Sequence, residues 1–294
     1  MRRLINRLPI TQIKMFFGRI LYRIVHLVYR TDRHIIVRNR IKYEVDLSEG
    51  IDLSMFLFGQ FQKHVSQCKY LSLPQDGIIF DVGANSGMMS LQFAKLVPAG
   101  KVYSFEPTFY AFSKLKKNIE LNPGLAKRIV AVQSFVSSST SQKPHIKAYA
   151  SWKVGGTVEG VRHRVHGGIE KSAEGTAAVS LDDFCEQEKI ERLDFIKIDT
   201  DGHELEVLKG GKKVIGRFNP TIIFELGIYV MDERGIDFSD YLEFFDSLTY
   251  SLFNSKNFRK INTHNYRKHI PLNGAIDILA VSDTRSIKRK IPFI

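Results

Sequence analysis

Two acids, one strand apart, bracket the part of this chain best suited to hold a small ligand. In 78-IIFDVGANSGMMSLQFAK-95 an apolar run ends in Asp81, and Gly83, Asn85 and Gly87 follow at alternate positions before the spacing turns helical. Small residues in such a turn let backbone amides approach a ligand closely, and an acid at the strand end attracts a cation or an amino group. The spacing is neither Gly-x-Gly-x-x-Gly nor Gly-x-x-x-x-Gly-Lys-Ser/Thr, so neither a dinucleotide fingerprint nor a phosphate loop is matched. Glu106 closes the next apolar run, 101-KVYSFE-106, where a carboxylate can accept hydrogen bonds from both hydroxyls of a ribose. An NAD enzyme places an acid similarly. An acid in the first turn paired with an acid after the second strand suits a sulfonium amino acid joined to adenosine, S-adenosylmethionine, better than a pyrophosphate.

A second constellation, 198-IDTDGHELEVLKGG-211, offers groups that could handle a proton. Asp199 ends an apolar strand, and Asp201, Gly202, His203 and Glu204 fill a turn and the first turn of an amphipathic helix that Gly210 and Gly211 end. Acids at a helix start also favour the helix dipole, so capping is the structural reading of the same pattern. Methyl transfer needs the nucleophile held in line, which can contribute roughly 7–11 kcal/mol, and an acceptor that is an alcohol would also gain from losing its proton. His203, with an ordinary pKa near 6.5, is the first candidate base, oriented by Asp199 or Asp201. Glu225, at the end of 221-TIIFEL-226, either faces the same pocket or stands in solvent. Asp199, Asp201, His203 and Glu225 are also the ligand types of Mg²⁺ or Mn²⁺. Their spacing has no metal signature, so a divalent ion is the competing mechanism and no metal site is expected.

These groups require a scaffold of alternating strands and helices. Strands are expected at 78–83, 101–106, 129–136, 193–199, 221–226, 248–253 and 275–282, and helices near 87–97, 108–121, 182–189, 203–211 and 238–247. Short apolar runs joined by helices predict a mainly parallel sheet covered on both faces, with the final two strands as an antiparallel pair. Before it, 33-RHIIVRNRIKYEVDLS-48 alternates around Arg38-Asn39-Arg40 as a hairpin would, and 52–70 reads as helical. The segment 137–178, rich in Ser, Gly, His and Lys, is too long for a connector. It carries Trp152, Gly155-Gly156 and the basic group Arg162, His163, Arg164 and His166, and reads as a disordered insertion or as a lid that meets the acceptor.

The 294 residues carry a net charge of +12, unevenly spread. Residues 1–43 hold eleven Lys/Arg and one acid, residues 256–290 nine Lys/Arg and two acids, leaving an acidic centre. That distribution argues against a nucleic-acid groove through the active site and fits termini that meet a membrane surface or a polyanion. From Pro9 to Arg30 a broad apolar helix shows a thin edge of Gln12, Arg19, Arg23, His26 and Arg30. Arg19 and Arg23 interrupt a spanning run, and the helix either packs on the domain or lies on anionic lipid through residues 10–30. Cys68 and Cys185, far apart, support neither disulfide nor zinc, which fits a cytoplasmic protein, at most peripheral on a membrane's inner face.

The segments 79-IFDVGANSGMMSLQFA-94, 103-YSFEP-107, 118-NIELN-122, 180-SLDDF-184, 196-IKIDTDGHELEVLKGG-211 and 222-IIFELG-227 together resemble the FkbM family of S-adenosylmethionine-dependent methyltransferases. The resemblance runs from about Leu47 to Leu226, with 57-LFGQFQ-62 similar to the family's pre-core segment. It departs at Thr200-Asp201, where the family often has Val-Glu, and is weak over 137–178 and the C-terminal third. It implies an α/β class I (Rossmann-like) methyltransferase sheet of seven strands over residues 77–283, after an extension (1–45) and a pre-core helical segment (46–76) and before a basic tail (284–294). It further implies cofactor contacts by Asp81, Gly83, Asn85, Gly87 and Glu106, secondary contacts by Asn122 and Ser134, and methylation of a hydroxyl on a saccharide, glycolipid or related metabolite. An RNA or other polyanion acceptor is the alternative. It lacks the Asn/Asp-Pro-Pro-aromatic tetrad of amino-group methylation and a cysteine beside proline for carbon methylation. A non-catalytic cofactor-binding module is the other.

Overall fold

The computed structural model describes residues 10–59, 61–138, 147–150, 153–155, 169–172 and 175–284. Helix α1 (Ile10–Tyr29) leads into a hairpin of β1 (Arg33–Arg38) and β2 (Ile41–Asp46). Its two turn residues, Asn39 and Arg40, both have positive φ, 52° and 63°, the left-handed pair that matches strand twist in a two-residue turn. The pre-core segment is not one helix as the spacing predicts. It is α2 (Gly50–Phe58) and α3 (Lys63–Ser66), separated because Gly59 and Gln62 both turn left-handed.

Then follow β3 (Ile78–Val82), α4 (Met88–Leu96), β4 (Lys101–Phe105), α5 (Phe109–Glu120), α6 (Pro123–Ala126) and β5 (Ile129–Val132). The strand expected over 129–136 is shorter: β6 (Phe135–Val136) leaves the main sheet to pair with β9 (Ala178–Val179), while β7 (Lys147–Ala150) and β8 (Ile169–Ser172) form a hairpin between them. Trp152, Gly156, Arg162, His163, Arg164, His166 and the tail beyond residue 284 lie outside the described residues. The chain continues through α7 (Leu181–Gln187), β10 (Phe195–Ile198), α8 (Glu204–Gly210), α9 (Lys212–Phe218), β11 (Thr221–Gly227), α10 (Ile228–Arg234), α11 (Phe238–Asp246), β12 (Tyr250–Asn254), α12 (Tyr266–His269) and β13 (Ala275–Ser282).

The main sheet has seven strands in the order β12-β13-β11-β10-β3-β4-β5, parallel except for β13. This is the class I methyltransferase, Rossmann-like arrangement. Because side chains alternate along a strand, each face has its own core. On one, Phe80, Phe105, Ile196, Ile198, Ile222 and Phe224 pack with α7, α8 and α11. Phe184 of α7 meets Phe105 edge to face at 4.8 Å and Phe80 at 5.8 Å. On the other, Ile79, Val102, Phe195, Ile223 and Leu279 pack with α4, α2 and the hairpin. Burying each such side chain contributes about 1.5–3 kcal/mol. On this second face, however, the same alternation turns Asp81, Lys197, Glu225 and Asp277 inward, and there the apolar core gives way to charge.

Candidate active site

The turn after β3 is built from alternate left-handed residues, Gly83, Asn85 and Gly87, with φ of 79°, 49° and 79°. Gly83 and Ala84 donate to the Phe105 carbonyl at 3.0 and 2.9 Å, which draws the turn towards β4. On its other side a Cβ at Gly83 would stand 1.8 Å from the Asp199 carbonyl oxygen, so no other residue fits between β4 and β10 without moving one of them. Gly87 then caps α4.

Glu106 lies beside this turn, only 6% exposed. One carboxylate oxygen accepts the Asn85 N–H at 2.9 Å; the other accepts the Thr108 N–H at 3.0 Å and hydroxyl at 2.6 Å. Burial raises its pKa, and the Thr108 and Asn85 bonds oppose that rise. Since a carboxylate has about four acceptor positions, capacity remains for a ligand. An acceptor-only group at a strand's carboxyl end, beside a turn stripped of side chains at Gly83, fits the ribose end of S-adenosylmethionine.

Two of the expected cofactor contacts, Asp81 and Asn122, also engage the protein's own groups. Asp81 is fully buried: one oxygen accepts the Ser90 hydroxyl at 2.6 Å and the other lies 3.7 Å from Lys197 Nζ. Lys197 is its ion-pair partner, but that second oxygen has no hydrogen-bond partner among the described residues. Burial raises the Asp81 pKa, with Lys197 and Ser90 pulling the other way. Asn122 is engaged in structure too: its amide oxygen accepts the Lys42 N–H at 2.8 Å and its amide nitrogen donates to the Lys42 and Asn118 carbonyls. It ties β2 to the end of α5. Ser134 is half-buried just past β5, where its N–H bonds the Val132 carbonyl.

Towards β13 the charged face becomes a row. Lys197 pairs in register with Asp81 on β3, and Glu225 with Asp277 on β13. Lys197 Nζ reaches Asp199 at 3.1 Å. Burial works against the lysine's charge, yet Asp199 and Asp81 together hold its pKa above the usual range. Burial also works against Asp199, but Lys197 and a hydrogen bond from Gln62 at 3.0 Å keep it ionised and its pKa low. Glu225 is the reverse case. Burial and the charges of Asp199 and Asp277 push its pKa far up, and it hydrogen-bonds the Asp199 carboxylate. His64 bonds Asp277 from above. The break in the pre-core helix has its use here, because it lets Gln62 and His64 cover the row.

The turn after β10 separates three roles that the sequence left together. Glu204 is buried and structural: one oxygen accepts Thr200 N–H, Thr200 hydroxyl and Gly202 N–H at 2.9, 3.1 and 3.2 Å. His203 does not meet Asp199 or Asp201, which corrects its expected orientation. Its Nε2 lies 2.6 Å from Arg234 Nη2, and since arginine only donates, Nε2 is the acceptor and the ring is neutral. Burial, followed by Arg234, lowers the His203 pKa to about 4; Phe135 packs edge-on against the ring. Its Nε2 lone pair is engaged by Arg234. Asp201 sits in the left-handed conformation with φ 51°, half-exposed. Burial first, then Asp199, Glu204 and Glu106, raise its pKa well above the ordinary carboxylate value.

Among the described residues no three His, Cys, Asp or Glu side chains come together as a metal site. Sequence reasoning missed Lys197, Gln62, His64, Asp277 and Arg234. A lysine inside an otherwise apolar strand was the one available signal. It also missed a buried cluster on the pre-core side, in which Lys114 bonds Glu49 at 2.9 Å and Asp52 at 2.7 Å.

The Methyltransferase FkbM domain family matches residues 81–252. Similar curated proteins include Methyltransferase sdnD of Sordaria araneosa, 29% identical over 47% of this chain and 62% of that protein. Hexuronic acid methyltransferase AglP of Haloferax volcanii is 26% identical, over 51% and 56%, and 2-O-methyltransferase NoeI of Sinorhizobium fredii is 24% identical, over 48% and 59%. The matches thus span about three fifths of these relatives' lengths. With the motif turn, Glu106 and the β10 turn all inside the matched span, the chain belongs to the FkbM methyltransferase domain family.

Proposed function

We propose that this chain is an S-adenosylmethionine-dependent O-methyltransferase acting on a hydroxyl of a saccharide, glycolipid or related metabolite. The observation that carries this reading is the left-handed turn Gly83-Asn85-Gly87, pressed between β4 and β10, beside the buried Glu106 carboxylate that accepts the Asn85 and Thr108 N–H groups. The bound cofactor supplies an electrophilic methyl group. Asp201 takes the hydroxyl proton of the acceptor, its raised pKa bringing it towards the working range of a general base. The Asp199–Glu225 pair, neutralised in part by Lys197, accepts hydrogen bonds from neighbouring hydroxyls and fixes the acceptor's angle. Two relatives bear names that specify a hexuronic acid and a 2-O position, and this supports a sugar-like acceptor.

Glu106→Gln is expected to weaken S-adenosylmethionine binding about tenfold to hundredfold, the range for losing a hydrogen bond to a charged group, read by calorimetry. Affinity unchanged by this substitution removes the ribose assignment. Tritiated-methyl transfer into glycan and lipid extracts, with label recovered as base-stable ether, tests the reaction itself; label appearing only in RNA would favour the polyanion acceptor.

A further inference from the structure

We propose that α1 docks the protein on an anionic lipid bilayer. The helix divides into two arcs of opposite use. Gly18 and Val25 are buried, and Tyr22 and His26 half-buried, an i, i+4, i+7 stripe that faces the protein. Tyr22 donates to Asp32 at 3.0 Å and His26 bonds the same carboxylate at 3.2 Å. Gly155 of the 137–178 segment lies against Tyr22 so closely that a Cβ would come within 2.1 Å of the ring. The helix is therefore fixed to the domain at a defined rotation.

That rotation turns the apolar side outward. Phe16, Phe17, Ile20, Leu21, Ile24, Leu27 and Val28 are all exposed, Leu27 by 78% and Val28 by 72%. At 100° per residue they fill an arc of about 140°, opposite the docking stripe. Arg19, Arg23 and Arg30 are exposed along one margin, between the apolar arc and the protein, and among the described residues no carboxylate pairs with them.

This arrangement matches an interfacial helix: apolar side chains enter the acyl boundary while flanking guanidinium groups reach phosphates. A second copy of the chain would meet this margin with the same positive charge, whereas an anionic surface complements it. No helix among the described residues is long and apolar enough to cross a membrane, so the contact is in-plane. The face is chemically independent of the methyl-transfer reading. Gly155 joins α1 to Ser48 beside Glu49, so the side of α1 opposite the apolar arc rests on the domain.

The test is flotation of the full chain with phosphatidylcholine vesicles, with and without phosphatidylglycerol. The wild type should float with the anionic vesicles, less well as salt rises. F17E/I24E should lower partitioning by at least about tenfold, and R19E/R23E should abolish the preference for phosphatidylglycerol. Both variants should melt at the wild-type temperature, since the altered side chains touch solvent. Flotation of F17E/I24E equal to wild type overturns the proposal, as does a wild type that stays at the bottom. Sedimentation velocity guards the alternative: if F17E/I24E converts an oligomer to a monomer while neither protein floats, the face belongs to a second copy and the proposal fails.

Discussion

Lys197→Met should destabilise the fold by about 3–5 kcal/mol at pH 7, the range for removing one partner from a buried ion pair. The lysine is 4% exposed and lies within 4 Å of two carboxylates, Asp81 at 3.7 Å and Asp199 at 3.1 Å. Methionine fills much of the volume, so the loss reports charge rather than a cavity. The pH dependence fixes the sign. In the wild type Lys197 holds Asp199 below its ordinary pKa, so that carboxylate contributes stability above its unfolded pKa of about 3.9 and loses it as pH falls through the depressed folded value. Without the lysine, burial lifts both carboxylates above their unfolded pKa. Their penalty is then absent below the unfolded pKa and grows as pH rises from there towards the raised folded values. Urea unfolding should therefore show the variant's deficit shrinking below roughly pH 5. A deficit under about 1 kcal/mol at pH 7 would mean that the pair contributes no more than a surface bridge.

Asp201→Asn should reduce kcat by about 10²–10⁴, the usual contribution of a general base, and leave S-adenosylmethionine affinity nearly unchanged. Its raised pKa means that wild-type activity should climb with pH as the carboxylate loses its proton, at a pH above the ordinary aspartate range. The variant should lose that limb. Stability should move the opposite way: a carboxylate with a raised folded pKa destabilises the fold as pH increases, so Asn should make the protein relatively more stable at pH 8 than at pH 5. A structural aspartate would lose both together. If instead His203→Gln removes the acid limb and Asp201→Asn does not, the base is the histidine despite Arg234.

The strands that carry the site were legible because they are apolar runs bounded by turns, and Gly83, Asn85 and Gly87 announced a tight loop by residue type alone. The hairpin around Arg38-Asn39-Arg40 was readable from the alternation on either side, and the structure narrows its turn to Asn39-Arg40. The pre-core helix was over-read, since a pattern of apolar positions does not reveal that Gly59 and Gln62 turn left-handed. The position of Asp81 at a strand end is visible in the sequence, whereas its ion-pair partner Lys197 lies 116 residues later in the chain and is not. His203 invited a catalytic role by its type; its neutral, arginine-bonded state depends on α10 coming alongside.

What the sequence by itself determined is what short-range chemistry fixes: the alternation of strand and helix, the glycine-dependent turn, the acid at the end of β4 and the amphipathic character of α1. Tertiary structure decided which charges meet. Strand register brings Lys197 beside Asp81 and Glu225 beside Asp277, and burial at that contact sets which carboxylates keep a proton. Packing likewise chose the rotation of α1, because only the seating of Tyr22 on Asp32 and Gly155 determines which arc of an apolar helix is left facing outward.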